Sequence, residues 1–188
     1  MYSAYRKIFW GLFITAFHIN LGNLQVIPAF VGWMIITGAV SELYREQPYD
    51  VFRKAGYCAM TLAGLSFLGF LFQITAYKND YLYYMPVVIQ IIDFLFAYYL
   101  LTGGSKCILE ENREEEADGM ELVLRFYMII FIINTIAFSI AIAAVKQDWI
   151  NLCAGIAVLQ VVWLMWMVSR LKSCYNNPGQ KTQEGKNV

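Results

Sequence analysis

The sequence predicts an all-α fold, a polytopic membrane helix bundle of six spans arranged as three hairpins. Composition is the first observation: the 188 residues are 59% hydrophobic and only 15% charged, against about 25% charged in an ordinary soluble domain. Distribution is the second. The charges gather at Arg6–Lys7, Glu42 to Lys54, Lys78–Asp80, Lys106 to Arg125, Lys146–Asp148 and beyond Arg170. The runs between them approach the roughly 17–25 apolar residues with which a helix crosses about 30 Å of hydrocarbon. Third, those runs are continuous rather than alternating, which excludes a closed β-barrel.

The first apolar stretch, residues 8–41, is 34 residues long. As one helix it would reach about 51 Å at 1.5 Å per residue, too long for one crossing. It is interrupted by "FHINLGNLQVIP", residues 17–28, which holds His18, Asn20, Asn23 and Gln25. Asn20, Gly22 and Asn23 are turn formers, and Pro28 suits the first position of a new helix, where its missing N–H has no partner anyway. The stretch therefore predicts a helical hairpin whose first arm reaches only about 20 Å. The third span is predicted over 56–76 and the fourth over 86–102, with Pro86 at its start. The fifth follows over 124–145 and the sixth over 149–169. Together these make a bundle over residues 1–173.

An acidic linker, residues 103–122, joins the fourth and fifth spans. Gly103–Gly104 is expected to end the fourth helix. Seven acids lie between Glu110 and Glu121, which reads as a solvated helical face or as a docking surface for a basic protein partner. The polar tail, residues 174–188, is expected to be disordered.

Orientation follows from the basic residues. With six spans, one side holds Arg6, Lys7, Arg45, Arg53, Lys54, Lys106, Arg113, Arg125, Arg170, Lys172, Lys181 and Lys186, and the other holds Lys78 and Lys146. Twelve against two predicts both termini in the cytoplasm. The amino-terminal run shows no small-residue cleavage site before Asn20 and reads as a retained first helix. Cys58, Cys107, Cys153 and Cys174 have no paired spacing. With one histidine in the chain and no Cys/His cluster, no metal and no cofactor is expected. "FHIN" at 17–20, "FQIT" at 72–75 and "FSIA" at 138–141 would mark three related hairpins if they are a repeat.

Polar groups inside hydrocarbon are expensive, so they are paired or functional. Asp93 is the only acid inside a predicted span, and Gln90 lies three residues earlier on the same helical face. Asn134 and Gln160 fall near the middle of the fifth and sixth spans. Three helices thus place their most polar residue at one depth. Small residues at Ala137, Ala141 and Ala144 on the fifth span, and at Ala59, Ala63 and Ser66 on the third, favour close helix approach. A hypothetical binding layer of Asp93, Gln90, Asn134 and Gln160 results, with an outer vestibule of His18, Asn20, Asn23, Gln25 and Gln73 above it. The layer is either interhelical hydrogen bonding or, at Asp93, a proton or cation site. His18 is an isolated vestibule histidine or a relay partner for Asp93.

Residues 11–43, with Ile19–Asn20, Gly22, Pro28, Phe30, Gly32 and Trp33, resemble the amino-terminal hairpin of small, uncharacterised multi-pass membrane proteins of Gram-positive bacteria. Those proteins show an Asp-Ile-Asn-like start, a glycine-containing turn, then Leu-Pro-Asp-Phe-Ile-Gly-Tyr. His18 and Ala29 stand here where that arrangement has Asp. The resemblance covers this hairpin only; it implies a bacterial plasma membrane and carries no activity with it.

Catalysis has the least support, because no nucleophile stands beside a base and no phosphate loop is present. A net charge of zero, with basic residues spread along the membrane edge, gives no support to nucleic-acid binding. Two functional classes remain besides contact with the lipid bilayer. One is a small transporter or channel-like protein with a buried acidic site. The other is a non-catalytic, membrane-embedded accessory or sensory subunit.

Overall fold

The computed structural model describes residues 1–16, 20–21, 24–25, 28–74, 85–111 and 113–176, with the side chains of residues 20, 21, 24, 25, 73, 74 and 176 left aside. Six helices occur among them: α1 (Tyr2–Ala16), α2 (Ala29–Glu46), α3 (Asp50–Ile74), α4 (Met85–Glu110), α5 (Glu114–Ala143) and α6 (Gln147–Asn176). Each packs on its neighbour in the chain, and α6 returns to α1, so the helices close a ring. The start of α1, the α2–α3 turn, the junction of α4 with α5 and the end of α6 lie at one end, here the terminal end.

Four helices, α3 to α6, are long and apolar enough to cross a bilayer. Of the six spans expected, these four have the length and hydropathy for a crossing among the described residues. At 15 residues, α1 reaches about 22 Å, and the last turn of α2 carries Glu42, Arg45 and Glu46. Helix stops at Ala16 and resumes at Ala29, so residues 17–28 do break the first stretch. Asn20–Leu21 and Leu24–Gln25 form a two-residue antiparallel ladder, with Asn20 opposite Gln25 and Leu21 opposite Leu24, which the turn reading did not anticipate. Pro28 is the extended N-cap of α2, at φ −65° and ψ 144°, one residue before the position expected for it.

Every helix from α3 on outruns its apolar stretch at the terminal end. Hydropathy marks the length immersed in lipid, whereas helix continues wherever an inward face finds packing. α4 runs unbroken through Gly103–Gly104 to Glu110, which corrects the expectation that the glycines end it. A Cβ on Gly103 would lie 2.5–2.9 Å from the Phe52 ring of α3, and one on Gly104 2.7 Å from Leu171 of α6. The pair are notches that let three helices converge. Most of the linker 103–122 is therefore the end of α4 and the start of α5, and α6 extends the bundle to Asn176, past the expected boundary at 173.

The core is densest at this end. Tyr5, Phe52, Leu100, Leu101, Ile108 and Leu171 are fully buried, and Tyr5 stacks on Tyr175 with ring centroids 5.7 Å apart. Ion pairs close the rim. The terminal amine pairs with Glu46 and Lys7 with Glu42. Arg113 pairs with Glu116 and donates to the Cys174 carbonyl at 3.0 Å, tying the α4–α5 turn to α6.

Candidate functional site

The floor of the site is aromatic. Trp33 of α2 reaches Phe96 of α4 edge-on, with centroids 5.3 Å apart, although the two helices are not chain neighbours. The contact also sets depth. Trp33 stands four residues into α2 and Phe96 eleven into α4. At 1.5 Å per residue, α2 therefore begins about 10 Å deeper than α4.

Asp93 lies one turn outward from that floor. Phe96, Ala97, Leu100 and Gly104 follow it at three, four, seven and eleven residues, and all four are buried. Its side chain thus stands on the inward face of α4, opposite the exposed face formed by Ile91, Leu95 and Tyr98. Asp93 is nevertheless only half-buried. Among the described residues no hydrogen bond or ion pair reaches its carboxyl. The buried Tyr127 of α5 lies within electrostatic range of it. Gln90, one turn further out on the same face, has a buried Oε1 without a partner.

Asn134 and Gln160 are brought together. On α5 the buried residues Met120, Leu124, Tyr127, Phe131, Asn134, Phe138 and Ala141 alternate spacings of four and three, which is the seam of a coiled coil. Gln160 and Cys153 occupy the facing seam of α6 and are buried with them. The Asn134 amide donates to Gln160 Oε1 and to the Cys153 carbonyl, both at 3.3 Å. Asn134 Oδ1 and Gln160 Nε2 remain unpartnered. The contact between Phe94 and Phe131, 5.5 Å between centroids, puts Asp93 level with Phe131, and Asn134 lies less than a turn further out. The layer therefore has two parts, a hydrogen-bonded pair inside the α5–α6 seam and an unpaired acid with Gln90 on α4.

Of the expected vestibule, His18 and Asn23 lie outside the described residues. Asn20 and Gln25 are described by their backbone in the ladder, and Gln73 by its place in α3. Among the described residues no three His, Cys, Asp or Glu side chains are grouped as a metal site, and the four cysteines are free thiols. Sequence reasoning missed Tyr127 and the Trp33–Phe96 floor, because aromatics in apolar helices look alike until their faces are known. Comparison with known proteins finds no matching family model, curated protein or solved structure.

Proposed function

We propose that the chain is a plasma-membrane protein with both termini cytoplasmic, and that Asp93 is the proton- or cation-binding group of a small transporter or channel-like protein. The observation that carries this is a partly buried carboxyl on the inward face of α4 that has no hydrogen-bond or ion-pair partner among the described residues. A buried carboxylate without a partner costs several kcal/mol. An interior acid that is only partly buried and has no protein partner can be satisfied by water or a cation entering between the helices. Gln90, one turn outward on the same face, has a buried Oε1 without a partner, and the Trp33–Phe96 contact would be the barrier below. The basic residues support the orientation: twelve of the fourteen fall on the side of the termini, with α1–α2 entering as a short hairpin from that side.

The test is flux through proteoliposomes carrying a trapped pH-sensitive dye, under an imposed Na⁺ or K⁺ gradient. The wild-type chain is expected to move protons or cations above empty vesicles. Asp93→Asn, which keeps shape and hydrogen bonding but loses the charge, is expected to abolish the movement while remaining folded. Equal flux from wild type and Asp93→Asn, or none from either, contradicts the proposal. A second reading, an accessory or sensory subunit, is favoured by the Asn134–Gln160 pair, which spends the other polar groups of the layer on holding α5 to α6.

A further inference from the structure

A groove of about 850 Å³ runs between α4 and α5 on the outside of the ring, away from Asp93. Its outward half is apolar, lined by Phe94, Leu95, Tyr98, Met128 and Ile129. Its half nearer the terminal end is polar, with Thr102 and Ser105 beside Lys106 and Arg125. From Phe94 to Leu109 the α4 wall is sixteen residues long, a rise of about 22 Å. That matches one leaflet with its headgroup layer, half of a bilayer about 40–45 Å thick. Both helices are long and apolar enough to span, so the groove opens where lipid would lie.

We infer that this groove holds one anionic glycerophospholipid of the cytoplasmic leaflet, its phosphate at Lys106 and Arg125 and an acyl chain along Tyr98, Phe94 and Ile129. The inference rests on the membrane orientation proposed above and is independent of the Asp93 site. Charge complementarity selects the occupant. Arg125 is engaged by Glu121 at 2.7 Å, while Lys106 is exposed and no ion pair to it occurs among the described residues. The polar end therefore carries two positive charges against one negative. A net positive site prefers a headgroup of net negative charge to a zwitterionic one, and basic pockets between helices on the cytoplasmic side suit such headgroups. The aromatic and methionine wall gives the chain a surface that bulk lipid does not.

The test uses the full chain purified in detergent, titrated with phosphatidylglycerol or phosphatidylcholine of identical acyl chains. Bound lipid is counted by native mass spectrometry and the thermal midpoint followed in parallel. Wild type is expected to retain phosphatidylglycerol in preference and to be stabilised by it more than by phosphatidylcholine. Lys106→Gln should weaken phosphatidylglycerol about fivefold and leave phosphatidylcholine unchanged. Glu121→Gln should strengthen phosphatidylglycerol, because it removes the competing carboxylate and cannot act through misfolding in that direction. Asp93→Asn should retain the preference, which separates this site from the one proposed above. Inorganic phosphate matching the effect of phosphatidylglycerol would assign the site to a free anion and overturn the inference. So would equal retention of both lipids by wild type, or an unchanged preference in both groove variants.

Discussion

Ten residues of α4, about 15 Å of helix, separate two different kinds of interior. At Gly103 and Gly104 the helix is so tightly gripped by Phe52 and Leu171 that a Cβ would meet side-chain carbons at 2.5–2.9 Å. At Asp93, on the same inward face, a carboxyl stands half-buried and unpaired. Both positions carry a residue unusual for a membrane helix, and the reasons are opposite. In the first, side-chain volume is removed so that the Phe52 and Leu171 side chains can pack directly on the α4 backbone. In the second, a polar group is retained on the inward face without a hydrogen-bond partner among the described residues. One helix thus packs tightly at the terminal end of the bundle and carries an unpaired acid ten residues outward. Glycine or an acid in a hydrophobic run acquires its meaning from what the facing helices do.

The largest effect is expected in the tight half. Gly103→Leu should lower stability by about 1–3 kcal/mol, the usual cost of overpacking, seen as a fall in the midpoint of thermal unfolding in detergent. Gly64 in α3 has no atom within 4 Å of a Cβ position, so Gly64→Ala should be neutral or stabilise by up to about 1 kcal/mol. Equal losses at both positions would erase the distinction between notch and open surface.

In the looser half, Asn134→Leu should cost about 0.6–1.7 kcal/mol, the range for hydrogen bonds between membrane helices, because it strands Gln160. Adding Gln160→Leu should recover most of that loss, since replacing both partners leaves no orphan. A double variant no better than the single one would show that the pair does more than join α5 to α6.

A smaller gain is expected at the outer end of the same seam. Val145 has φ +52°, and the Lys146 and Val145 amides bond back to the Ala141 and Ile142 carbonyls at 3.1 and 3.0 Å. That is a Schellman ending with a β-branched residue where glycine is favoured. Val145→Gly should raise stability by about 1 kcal/mol, read from the same melts. No gain there would mean that the strained turn does not limit the α5–α6 hairpin.

Much of this was legible in the sequence because hydrocarbon penalises polarity so heavily. The charge clusters located the helix ends to within a few turns, and the polar run at 17–28 located the first break. The inward placement of Asp93 followed from its cost in lipid, as did the expectation that Asn134 and Gln160 would face protein. The glycines at 103–104 misled, because a helix stop and a close helix crossing leave the same local signal. The two-residue ladder left none, being too short for alternation to show. The Trp33–Phe96 floor and the groove at Lys106 and Arg125 depend on which helices become neighbours, and no periodicity within a single helix encodes that. The apolar stretch at 8–41 located α1 and α2, each shorter than any of the four helices that follow.

The central claim is that water reaches position 93 from the outer side and stops at the Trp33–Phe96 contact. The most direct measurement replaces Asp93 with cysteine in a chain whose four native cysteines have been removed. A membrane-impermeant cationic thiol reagent is then applied to each face of oriented vesicles, with Ile91→Cys on the exposed face of α4 as the lipid-facing comparison. The account predicts rapid modification at 93 from the outer face only, and none at 91 from either. Position 93 unreactive from both faces, or reactive from the side of the termini, would contradict it.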